Sequence, residues 1–369
     1  MSKEQSSFTV SRQFQVGGKM LTINMVTPGN NVAGQGVGSA TNELIHLLET
    51  YAHEPLRIQR NTAKNAEITH VHTIHPLSYA QMIASKTPVV MHVHFLPDTL
   101  EGSIQITPPF DKLFSSYVMT MYKSADELVV VNPYFIDELE KYGLPRESIT
   151  YMPNVVDSSA FRPARGEHPL IYDRYRIDPE AFNVISVGQV QTRKGVADFL
   201  DVAERCPQLQ FYWAGGFSFG AFTDGYKDLK ERMENPPENV HFLDIVPREE
   251  MNALYNAMNV LFMPSYAELF PMAVMEAVHS GLPIVLRDLA LYRVIYFTDY
   301  LRANDNTGFA DLLLRLSTDS TFYSQAQHSS MKIAQDYSEE AIAEKWVAYY
   351  HRIFDKYDGK RGKTFFESK

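Results

Sequence analysis

Two glutamates eight residues apart, Glu268 and Glu276, lie in PSYAELFPMAVMEAVHSGLP, residues 264–283. The apolar run Val260-Leu261-Phe262-Met263 before them reads as a strand buried on both faces. Then the period changes. Pro271 suits the first position of a helix, Val274, Met275 and Val278 fall at helical spacing, and Ser280-Gly281 ends the helix ahead of Pro283 and another strand. Glu268 is therefore placed in a loop and Glu276 inside a helix. Acid pairs that cleave glycosidic bonds stand about 5 to 9.5 Å apart, whereas eight helical residues span roughly 12 Å. The wider gap suits one elongated ligand held at two ends by hydroxyl-binding carboxylates. A nucleotide sugar has that shape, with sugar and ribose at the ends and a diphosphate between them over a helix N-terminus. Taken singly, each acid is better explained blandly, Glu268 as solvated and Glu276 as salt-bridged.

Other residues could serve the same ligand. In GQVQTRKG, residues 188–195, Arg193 and Lys194 stand at the start of a helix over 196–205, where side-chain charge, main-chain donors and the helix field act on one anion. Two solvated surface cations are the plain alternative. Near the other end, PGNNVAGQGVGS links a strand over 21–26 to a helix over 39–49 that turns Leu44, Leu47 and Leu48 inward. Gly34, Gly36 and Gly38 let the main chain approach an anion closely, although a tight turn needs glycines equally. The spacing is not the dinucleotide GxGxxG, which disfavours NAD. His70 and His72, then His92 and His94, alternate so that each pair shares one strand face. A metal site has to be weighed, but no Cys joins them and Asp98 is a single loop acid. Polar core or cleft histidines fit better, and no metal ligands are expected. D-x-D occurs nowhere in the chain, so no such carboxylate pair offers itself to hold Mg²⁺ against a diphosphate.

The elements that position these groups alternate. Strand-like runs at 68–72, 89–94 and 128–131, and again at 182–187, 212–216 and 239–243, are separated by helical stretches that include 110–122, 196–205 and 248–257. That is the doubly wound parallel α/β pattern, whose sites lie at the carboxyl ends of strands. At 369 residues the chain suits two domains: 20–160, then a polar linker over 157–179, then 180–337. A last helix, 338–357, is capped by Ser338 and carries a stripe of Ile342, Trp346, Tyr349, Tyr350 and Ile353. The face Phe110, Leu113, Phe114, Tyr117, Val118, Met121 and Tyr122 reads as core packing, with membrane contact the lesser reading. Residues 1–19 read as a polar leader or an upstream start ahead of Met20, and the basic tail with Phe365-Phe366 as disordered or touching an anionic membrane. The aromatics of FSFGAFTDG could line an acceptor or base pocket, or simply pack. Hydrophobic residues make up 45% and charged residues 21%, ordinary for a soluble globular protein. No apolar run approaches a membrane span and no export signal opens the chain. The single Cys206 fits a reducing cytosol, and a net charge of −10 argues against a nucleic-acid partner.

The combination of PS, E-x7-E and GxPIV closely resembles the signature of the retaining glycosyltransferase family 4. The resemblance implies the GT-B fold: two Rossmann-like domains facing each other across a cleft, with the last helix crossing back to the first. It also implies roles. Glu268 binds sugar hydroxyls, Glu276 the donor ribose, and Arg193 and Lys194 the diphosphate; Gly36, Gly38, Phe270 and Met272 complete the donor site. His94 contacts the donor sugar near the transferred carbon, with His92 as the fallback. Gly34, His92 and Phe110 fall on the acceptor side. Three departures stand out. Many members have Gly where this chain has Pro271, which offers no N–H. Val155 replaces Gly in a PNGVD-like turn, and Gln189 replaces the usual Arg, leaving Arg193 to substitute. The family's mode needs no metal or other cofactor, the UDP-sugar being a substrate, and retains configuration by front-face attack. INMVTPGNNVAGQGVGSA, GQVQTRKG and GGFSFG are similar to bacterial enzymes that add a second hexose to monoglycosyl-diacylglycerol, building the lipoteichoic acid anchor. The expected donor is UDP-glucose or UDP-galactose, the acceptor a glycolipid, and the location cytoplasmic at the inner leaflet. A family 4 transferase with a polysaccharide or other soluble acceptor, a sugar-nucleotide epimerase and a catalytically silent binding subunit are the alternatives.

Overall fold

The computed structural model describes residues 19–27, 36–96, 110–217, 220, 223–268, 270–296 and 299–362, without the side chains of 36–39 and 110–111. Gly34, Phe365, Phe366, Asp98 and nearly all of the expected leader lie outside the described residues, as does part of FSFGAFTDG. Short β-branched and aromatic runs supply the strands. In the first half these are β1 (Leu21–Val26), β2 (Leu56–Arg60), β3 (Ile68–Val71), β4 (Val89–Val93), β5 (Glu127–Val130) and β6 (Ile149–Tyr151). In the second they are β7 (Asn183–Val187), β8 (Gln210–Ala214), β9 (Val240–Phe242), β10 (Val260–Met263), β11 (Ile284–Arg287) and β12 (Leu301–Ala303).

They form two parallel sheets, ordered β2-β1-β3-β4-β5-β6 and β12-β11-β10-β7-β8-β9. Chain direction across each sheet reverses once, at β1/β3 and at β7/β10. Ligands of doubly wound sheets gather in the crevice beyond such a point. In the second sheet the loops leaving the reversal are TRKG and PSYAELF, so topology alone brings the two candidate segments together.

Every residue of β4 and of β10 is buried, as expected for central strands covered by helices on both faces. β2 was not evident in the sequence because it is a polar edge strand, LRIQR, with one buried residue. The region expected as a linker contains the short helix Leu170–Tyr175, anchored by the buried Ile171. One apolar cluster is continuous from Ile23 and Leu48 through Met152 and Val155 to Leu261, Val274 and Trp346, so the two halves share a core.

The helix Glu339–Tyr357 buries its expected stripe of Ile342, Trp346, Tyr349, Tyr350 and Ile353. Ser338 occupies the N-cap position but makes no side-chain cap bond; Ser158 Oγ instead donates to Glu339 Oε2 at 2.5 Å. Further along, Lys356 Nζ reaches the wholly buried Glu127 Oε1 on β5 at 2.6 Å. The helix therefore returns to the first sheet. In the helix Phe110–Ser124, Val118, Met121 and Tyr122 are buried, but Leu113 is 67% exposed, off the predicted face.

Candidate active site

After β7 the chain makes a single 3₁₀ turn, Thr192–Lys194, closed by Gly195 at φ 73°. A Cβ on Gly195 would sit 2.5 Å from the Pro264 carbonyl oxygen, and Tyr266 N–H donates to Arg193 O at 2.8 Å. The two switch-point loops thus pack main chain against main chain. Gly195→Ala should cost about 1–2 kcal/mol from the left-handed backbone alone, with the clash added. A lowered Tm is expected; a Tm equal to the parent's would show that the Pro264 segment yields freely.

This packing sets Lys194 Nζ 2.5 Å from Glu268 Oε1 and Arg193 Nη1 3.6 Å from Oε2. Arg193 Nη1 also donates to Ala267 O at 2.5 Å. The three side chains are 14%, 17% and 6% exposed for Lys194, Arg193 and Glu268, which overturns the solvated alternatives for all of them. Burial pushes the Glu268 carboxyl up, but Lys194 and Arg193 outweigh it and hold it below the usual range. Burial lowers the Lys194 ammonium, Glu268 raises it and Arg193 lowers it again, with a net downward direction. The short contact and the depressed carboxyl together describe a charged pair with a second cation alongside.

Glu276 belongs to a second group. Its helix, Met272–His279, begins after Pro271, which is the residue before the helix and not its first member. Phe270 and Met272 are buried, Phe270 meeting the Tyr337 ring at 5.8 Å, so their side chains belong to the core. Glu276 Oε1 accepts from Arg248 Nη1 at 2.7 Å and Oε2 from Tyr255 OH at 3.0 Å. Arg248 Nη2 also donates to Glu43 Oε1 on the helix Gly36–Tyr51. The salt-bridged reading of Glu276 is therefore realised. Arg248, Tyr255 and Glu43 were not singled out in the sequence. Arg248 and Tyr255 sit seven residues apart, on one helix face, which is the only sequence signal for them.

Gly36 and Gly38 lie in the first turn of the helix Gly36–Tyr51, not in the loop before it. Glycine's poor helix propensity made the loop look longer than it is.

His94 follows β4 and joins the third group. The His92 and His94 rings stack at 4.5 Å and 7°, and His70 stacks on His92 at 5.3 Å and 10°. His70 Nδ1 pairs with Tyr350 OH at 2.8 Å. His70 Nε2, His94 Nε2 and both ring nitrogens of His72 and His92 are buried without a hydrogen-bond partner among the described residues. Burial pushes all four imidazoles below their ordinary value, with charge repulsion from neighbouring rings added for His70, His72 and His92; His94 comes down to about 4. They are therefore neutral near pH 7. His70, His72 and His92 offer nitrogens within 4.8 Å of one another, a group that could hold a transition ion. An imidazole lone pair lies in its ring plane; the His70 and His92 rings are near parallel, with His72 tilted to them by 40° and 34°, so the stacked pair would have to turn for its nitrogens to converge on one ion.

Residues 36–160 match the family described as Glycosyltransferase Family 4, and residues 181–319 that described as Glycosyl transferases group 1. The α-galactosylglucosyldiacylglycerol synthase of Streptococcus pneumoniae is 40% identical over 340 residues, 90% of each chain. The chain is a family 4 glycosyltransferase. The processive diacylglycerol α-glucosyltransferase of Acholeplasma laidlawii is 25% identical over 86% of this glycosyltransferase and 94% of its own length. Among solved structures, Anabaena HepE in complex with UDP and glucose superposes with a TM-score of 0.71 at 13% identity, covering 90% of this chain and 99% of its own. Sucrose-phosphate synthase from Thermosynechococcus elongatus gives 0.74 at 15%, covering 91% and 100%. The expected GT-B fold is thus the fold observed.

The departures from the family pattern have local explanations. Val155 is 4% exposed and packs in the core shared by the two halves, so the glycosyltransferase gains apolar contact at this turn. Gln189 Oε1 accepts from Gln191 Nε2 at 2.5 Å, leaving Arg193 and Lys194 as the cations of that loop nearest Glu268.

Proposed function

We propose that this glycosyltransferase moves a hexose from UDP-glucose or UDP-galactose to a monoglycosyl-diacylglycerol, with retention, giving a diglycosyl-diacylglycerol. The observation that carries this reading is the 40% identity to the pneumococcal synthase over 90% of both chains; that relative's name points to galactose, and the name of the Acholeplasma enzyme to glucose. In this reading Glu268 accepts from sugar hydroxyls while Lys194 and Arg193 face the diphosphate, and Glu276 accepts from the ribose. Gly36 and Gly38, at the start of their helix, present main-chain N–H groups to the phosphates. The bond from the anomeric carbon to the β-phosphate oxygen breaks, the acceptor hydroxyl oxygen bonds on the same face, and its proton passes to the departing phosphate. Charge developing on UDP is met by the two cations and the N-terminus of the helix Val196–Arg205, with no metal. His94, neutral, hydrogen-bonds to the donor sugar.

The acceptor places the reaction at a membrane surface, which we assign to the inner leaflet of the cell membrane. Among the described residues no helix is long and apolar enough to cross a membrane, in keeping with peripheral attachment. Purified protein, either UDP-sugar and vesicles of monoglucosyl-diacylglycerol, with a chelator present, should yield the diglycosyl lipid. Glycosylation of water-soluble acceptors only would overturn the lipid reading, and UDP released without transfer would point to an epimerase.

A further inference from the structure

Arg248 opens the helix Arg248–Asn256 in the second half of the molecule, yet it serves both halves. One nitrogen, Nη1, binds Glu276 Oε1 at 2.7 Å, and the other, Nη2, binds Glu43 Oε1. Glu43 is 9% exposed, and its second oxygen accepts the Asp157 N–H at 3.2 Å, where the chain is leaving the first sheet. Tyr255 OH holds Glu276 Oε2 at 3.0 Å. A carboxylate oxygen has two lone pairs, so with these partners in place Glu276 can still accept two hydroxyls, in an orientation fixed from both sides. A planar fork holds the two carboxylates at a fixed separation and angle, whereas an ammonium, with three donors on one freely rotating nitrogen, fixes neither orientation.

We propose that Arg248 is a positioning residue: it aims Glu276 at the donor ribose and ties that grip, through Glu43, to the other half of the molecule. The proposal rests on the ribose role of Glu276 given above. Its consequence is that discrimination between ribose and deoxyribose depends on a first-half side chain, Glu43, that need not touch the nucleotide.

Calorimetric titration of the full chain with UDP and with 2′-deoxy-UDP tests it. A hydrogen bond to a charged acceptor is worth about tenfold or more in Kd, so the parent should prefer UDP by about that factor. Glu43→Gln, nearly isosteric, should shrink the preference to about threefold, and Arg248→Lys, which keeps the charge but loses the rigid fork, should do the same. If both variants keep the parental preference while Glu276→Gln abolishes it, the positioning role is wrong and the ribose role stands. If Glu276→Gln itself keeps the preference, the ribose role fails and the present proposal with it. Equal weakening toward both nucleotides in the Glu43 and Arg248 variants would mark a purely structural strap and also overturn the proposal.

Discussion

Exchanging Lys194 for methionine should lower kcat/KM for the UDP-sugar by about a hundred- to a thousandfold, the usual effect of deleting one preorganised charge donor from a site that stabilises a leaving group. Lys194 lies 2.5 Å from Glu268 inside a largely buried pair, so its removal also strands a carboxylate whose remaining cation, Arg193, stands 3.6 Å away. Deleting one partner of a buried pair typically costs about 3–5 kcal/mol of stability, and Tm should fall as well. The two effects separate in the double variant Lys194→Met with Glu268→Gln. Neutralising the stranded acid should return most of the lost Tm and none of the lost turnover. Were kcat/KM to drop less than about tenfold in the single variant, Lys194 could not be the principal charge on the diphosphate side.

How far this pair could be read in advance depends on what kind of signal each partner carries. β7, β10 and the helices after them were evident because a buried parallel strand is a continuous apolar run and a helix changes the period. With the order β12-β11-β10-β7-β8-β9, the meeting of TRKG with PSYAELF is a consequence of topology, which periodicity does not encode, and the E-x7-E resemblance supplied it. Arg248 and Glu43 escaped for a different reason. Their contact joins residues 205 positions apart across two domains, and each looks like an ordinary charged residue on its own helix. β2 escaped because an edge strand half open to solvent need not be apolar. The bland reading of Glu276 as salt-bridged was correct and does not compete with ligand binding, since its partners leave lone pairs free.

Lowering the pH from 7 to 5 should destabilise the folded chain more steeply than its carboxylates alone would require, because four imidazoles are buried neutral. An unfolded histidine takes up its proton near 6.5, whereas His94 in the fold does so only at about 4, held down by burial, and His70, His72 and His92 lie well below 6.5 for the same reason with mutual repulsion added. Between those values the unfolded chain binds more protons, so stability is complete above about 6.5 and is lost progressively as the pH falls. For His94 the loss at pH 5 is about 2 kcal/mol, and the other three rings add to it in the same direction, against total stabilities of about 5–15 kcal/mol for a domain. Urea unfolding at pH steps between 7 and 5 should therefore show a rising dependence that approaches about 1.4 kcal/mol per pH unit for each ring. His72→Asn should remove one ring's share of that slope, whatever it does to stability at pH 7. A wild-type stability that stays level from pH 7 to 5 would mean the rings accept protons while folded. His94 would then meet the donor sugar as a cation, and its part in the site would have to be rewritten.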